Sequence, residues 1–140
     1  MRTKRIAKYG AVLTVVLAMA VWMLPAWGQS GSASKARTDG PNTKLINELA
    51  AARIATAKYA TSLGRAKRDG YGIITQMIPN MGFHFMNPSI SGFDITKPQI
   101  LVYEHTGQDT WQLGALEWVF TEMPRDPPLP NATFGFFPAA

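Results

Sequence analysis

The chain has 140 residues, with 14 Lys and Arg, 9 Asp and Glu, 2 His and no Cys. That length bounds a single domain, and the lack of Cys excludes disulfides, thiol catalysis and Cys-based zinc sites. Arg2, Lys4, Arg5 and Lys8 precede the first acidic residue, Asp39, and the rest of the chain is nearly neutral, so the basic balance belongs to the amino end and argues against a nucleic-acid binder.

Residues 1–28 have the layout of a secretory signal peptide. A basic start leads into an uncharged apolar run, Ala11–Leu24, then Pro25 and the small-x-small step Ala26-Trp27-Gly28. The run is shorter than the ~20 residues a membrane-spanning helix needs. The expectation is cleavage after Gly28 and an exported protein, periplasmic or extracellular, with no stable membrane insertion afterwards. Residues 29–41, rich in Ser, Gly, Lys and Thr, read as a flexible tether.

The folded part is expected over 42–123. Asn42 or Thr43 offers a helix cap. Leu45, Leu49, Ala52, Tyr59 and Leu63 then recur at helical spacing, widened by Ile46, Ala50 and Ala57. One long amphipathic helix is predicted from Asn42 to Arg68, with Lys67 and Arg68 complementing its dipole and Gly70 stopping it. A strand is predicted at Tyr71–Ile78, a turn at Pro79–Gly82, and a short aromatic strand at Phe83–Met86 ended by Asn87-Pro88. Ser89–Pro98 reads as a loop. Gln99–His105 and Trp111–Thr121 read as two strong strands joined by a hairpin at Gly107-Gln108-Asp109. The proline-rich end, residues 124–140, is unsuited to a central strand. The predicted class is α+β: one helix on an antiparallel meander of three to four strands, an arrangement of the cystatin-like type.

Strand alternation places Glu104 on one face with Ile100 and Val102, and Glu117 with Leu113, Ala115 and Val119. Carboxylates among apolar neighbours are costly to bury without a partner. If the two faces coincide across the hairpin, Glu104 and Glu117 become neighbours. His84, from the adjacent strand, supplies a nitrogen ligand. His84, Glu104 and Glu117 together form a His-carboxylate set suited to zinc, iron or manganese. Three readings follow: a metal-binding domain, a metal-dependent hydrolytic or oxidative enzyme using the same three residues, and a module holding a small apolar ligand between helix and sheet. Met77, Met81 and Met86, close to His84 in sequence, read more readily as core filler than as Cu(I) ligands. His105 falls on the opposite side of its strand from Glu104. The chain has no Gly-x-Ser-x-Gly, phosphate loop, dinucleotide fingerprint or His-Glu-x-x-His.

The strings Ala55-Thr56-Ala57-Lys58-Tyr59, Asp69-Gly70-Tyr71, Met81-Gly82-Phe83-His84 with Asn87-Pro88, Lys97–Glu104 and Leu113–Val119 resemble an uncharacterised family of exported bacterial proteins, over roughly residues 45–120. The family has no established activity. The resemblance therefore implies export and marks His84, Asn87, Glu104 and Glu117, but implies no mechanism. Such proteins usually run on into a segment with His and Trp, and often carry a cysteine pair. This sequence has neither, and a metal site completed by that later histidine would be weak here.

Overall fold

The computed structural model describes residues 10–16 and 40–137. The tether residues 29–39 and the greater part of the predicted signal peptide lie outside the described residues. Two short helices precede a meander: α1, Pro41–Thr56; α2, Leu63–Arg68; β2, Gly72–Ile73; β3, Phe83–Met86; β4, Ile100–Gly107; and β5, Thr110–Phe120. Two further strands, β1 (Gly10–Val16) and β6 (Gly135–Phe137), extend a six-stranded sheet of order β2-β3-β4-β5-β1-β6, antiparallel at every pairing. This is the expected α+β class. Among the described residues, no helix is long and apolar enough to cross a membrane.

The single predicted helix is broken. A 3-10 turn at Ala57–Tyr59 separates α1 from α2, and Ser62 caps α2 by accepting from the Arg65 amide. The break has a tertiary cause. The Tyr103 hydroxyl donates to the Tyr59 carbonyl at 2.8 Å, and the Leu113 amide donates to the Ala60 carbonyl at 2.8 Å. The sheet thus takes up carbonyls that a continuous helix would use itself. At the front of α1, Gly40 is the cap residue and contributes no side-chain bond, so neither Asn42 nor Thr43 caps it. Ile46 and Ile54 are exposed, which removes Ile46 from the buried stripe. The carboxyl end follows expectation. Gly70, at φ +99°, closes a Schellman motif in which the Tyr71 amide donates to Ala66 and the Gly70 amide to Lys67.

The helices lie against one face of the sheet. Ala52, Tyr59, Leu63, Ala66 and Tyr71 form a core cluster with Phe85, Leu101, Tyr103, Leu113, Leu116 and Trp118. These side chains pack between the helices and the sheet. Asn87 belongs to this scaffold. It donates to the Asp69 carbonyl at 2.9 Å and accepts from the Ser89 amide at 3.0 Å, pinning the loop after β3 to the end of α2.

Asp69 also accepts from Lys58 Nζ at 2.9 Å and the Tyr59 hydroxyl at 2.8 Å. The hydrogen bond from Lys58, then that from Tyr59, lowers its pKa below the ordinary 3.8. A carboxylate lowered in the folded state stabilises it above the unfolded value and loses that effect as pH falls through the folded one. Asp69→Asn should therefore lower the melting temperature at pH 7. The gap to wild type should close as the pH is taken below 3.8, as an acid series of thermal melts will read.

Between β2 and β3 the chain turns back at Pro79–Gly82. Ile78 and Gly82 form an isolated bridge, and Asn80 and Gly82 take positive φ of 63° and 83°. A Cβ on Gly82 would meet the Tyr103 carbonyl oxygen at 2.6 Å. Gly82→Ala combines that overlap with an unfavourable φ and should cost at least about 2 kcal/mol in a denaturant titration.

Candidate functional site

The opposite face of the sheet holds a second, smaller apolar group of Ile100, Val102 and Ala115, flanked by Met86 and Val119. Two polar side chains are buried on this face, His84 and Glu117, at 0% and 1% exposure. Register explains their meeting. His84 lies opposite Val102, Met86 lies opposite Ile100, and Ile100 lies opposite Glu117. His84 and Glu117 therefore flank β4 from either side, and His84 Nε2 stands 3.6 Å from Glu117 Oε1.

Thr75 sets the other side of the imidazole. Its hydroxyl oxygen accepts from the His84 amide at 3.2 Å and lies 3.1 Å from His84 Nδ1. With one proton and two lone pairs, the Thr75 hydroxyl serves the His84 amide and Nδ1 at once and holds the ring in place.

Glu117 lies on the wall of a cavity of about 310 Å³, lined also by Asn80, Met81, Val102, Glu104, Gly114 and Ala115. That volume is at the lower end of ligand pockets, which run to about 300–1,000 Å³. The predicted sharing of one face by Glu104 and Glu117 is found, but not as cross-strand neighbours: Glu104 lies opposite Gln112. From Ile100 to Glu104 is four residues of β4, or about 13 Å of strand. Both carboxyl groups line one cavity together with Val102, Ala115 and Gly114, Glu117 buried and Glu104 exposed.

The predicted company of Glu117 needs correcting. Tyr103 pairs with Leu113 and Val102 with Ala115, so Gly114 is an extra residue, a β-bulge. Alternation reverses there. Leu113 belongs to the helix-side core, and only Ala115 and Val119 share the face of Glu117. The bulge also makes room: a Cβ on Gly114 would come within 3.3 Å of Glu104 Oε1.

The metal set His84, Glu104 and Glu117 is not assembled. Among the described residues, no group of three or more His, Cys, Asp or Glu side chains is arranged to hold a metal ion. The structure brings His84 to Glu117, while Glu104 lies four residues along β4 from the position opposite Glu117, facing Gln112. His105 is exposed as expected and lies against Trp111, with ring centroids 4.7 Å apart. Met77 and Met81 are exposed rather than core filler. Reading the sequence alone missed Thr75, Asn80, Met81 and Gly114 as parts of the site; a glycine inside a strong strand pattern was the one available signal.

No family model, curated protein or solved structure matches this chain.

Proposed function

We propose that this is an exported binding domain whose cavity takes a short aliphatic diamine or a similarly sized organic dication. The observation that carries the reading is the buried Glu117 on the wall of a cavity that a second carboxylate, Glu104, also lines. A carboxyl group buried on a cavity wall is placed to meet a ligand cation there. The rest of the wall includes apolar or small residues (Val102, Ala115, Gly114), which suits a methylene chain carrying ammonium groups. Export is supported by the layout of residues 1–28 and by the resemblance to exported bacterial proteins.

A thermal-shift panel tests the ligand class. 1,4-Diaminobutane should raise the melting temperature with concentration, n-butylamine less so, and 1-butanol not at all. Zinc and manganese ions, each added alone, should give no shift. A shift from the metals and none from the diamine would replace this reading with metal binding by His84, Glu104 and Glu117.

A further inference from the structure

We propose that the edge of β5, Ala115–Phe120, is a strand-acceptor site. In this structure the chain's own residues 10–16 fill it; after processing it takes an extended, uncharged segment of a partner chain. β1 lies antiparallel along this edge in six consecutive positions, from Ala11 opposite Phe120 to Val16 opposite Ala115. The seat is specific. Leu13, opposite Trp118, is 3% exposed within the core cluster that holds Trp118 itself. β6 pairs with β1 and not with β5, so it does not close the edge on its own. The occupant nevertheless falls inside the apolar run of the predicted signal peptide, upstream of the cut after Gly28.

Removing residues 1–28 would uncover the outward backbone groups of Ala115–Phe120, with an empty leucine seat beside Trp118. Strand addition satisfies both deficits: main-chain bonds supply affinity and the seat supplies selectivity. The occupant must therefore be extended and antiparallel to β5, with a leucine-sized apolar residue opposite Trp118. It must also set an uncharged residue opposite Glu117, where Thr14 now lies. The strand site thus adjoins the diamine cavity at Glu117. The emptying of the edge rests on the export reading given above; the acceptor itself does not.

The experiment uses the full chain and a labelled peptide of residues 10–16 with two added lysines. Leu13→Asp in the full chain weakens the seated strand without any cleavage. That variant should bind the wild-type peptide at least tenfold more tightly than the wild-type chain does. A peptide carrying Leu13→Asp should bind neither. Leu13→Ala serves as a milder full-chain variant should Leu13→Asp not fold. Equal binding of both peptides, equal binding by both chains, or no binding to either variant would overturn the acceptor. The mass of the protein recovered from an exporting cell tests the other half separately. A chain starting at Gln29 supports an emptied edge; one starting at Met1 overturns the emptying, and the peptide result alone then decides whether the edge accepts strands.

Discussion

His84→Leu should destabilise the domain by about 3 kcal/mol or more, Glu117→Leu by about 1–3 kcal/mol, and the double variant by less than about 1 kcal/mol. The reasoning follows from burial. Both side chains lie within 1% of full burial, with His84 Nε2 facing Glu117 Oε1 at 3.6 Å. Leucine at His84 takes the imidazole from beside Glu117 and leaves its carboxyl group against the apolar face of Ile100, Val102 and Ala115. Leucine at Glu117 leaves an imidazole whose Nδ1 still meets Thr75, the lesser loss. Leucine at both removes the polar groups together, extends the apolar group and restores most of the stability. Denaturant titration of the four proteins measures the coupling directly. Additive single effects would mean that the two groups do not depend on one another. A double variant as stable as wild type that no longer responds to diamine would show that the pair is kept for binding and not for folding.

Trp118→Ala should cost about 3–5 kcal/mol. Trp118 is fully buried on the helix-side face, packs on Phe93 with centroids 5.6 Å apart, and donates its indole N–H to the Asp94 carbonyl at 2.7 Å. It ties the long loop before β4 to the carboxyl-terminal part of β5. Trp118→Phe refills much of the volume and loses the hydrogen bond, so it should cost only about 1–2 kcal/mol. The drop in melting temperature should be in proportion, about 4–8 °C per kcal/mol for a domain of this size. Equal losses in the two variants would mean that the indole bond, not the ring volume, dominates this position.

Local chemistry in the sequence carried much of the fold. β3 matches its expected range, Phe83–Met86, because Gly82 and Asn87-Pro88 bound it. The hairpin between β4 and β5 turns at Gln108 and Asp109, with Asp109 at φ 78°, as Gly and Asp there imply. What the sequence could not carry was set by distant partners. Helical periodicity continues through Ala60, yet the helix breaks there because Tyr103 and Leu113 draw on its carbonyls from β4 and β5. The predicted strand Tyr71–Ile78 shrinks to Gly72–Ile73, since Thr75 is turned to the His84 ring and Ile78 is used in the bridge to Gly82. Gly10–Val16 reads as part of a leader from its charge pattern, while its β-branched residues equally suit a strand.

The site was legible in the same partial way. Alternation along β4 puts Glu104 on one face with Val102, and that holds. Along β5 the bulge at Gly114 shifts parity, and no local rule fixes where an extra residue is absorbed. The meeting of His84 with Glu117 depends on the register of two strand pairs at once, which is a tertiary quantity. The same registers bring Glu104 and Glu117 to one face and one cavity without making them cross-strand neighbours.

Calorimetric titration of 1,4-diaminobutane into the wild type, Glu104→Gln and Glu117→Gln tests that arrangement most directly. Saturable one-to-one binding to the wild type is expected, with at least tenfold weaker binding to each variant, the larger loss falling on the buried Glu117. Binding that both amide variants retain in full, or no binding by a folded wild-type domain, would contradict it.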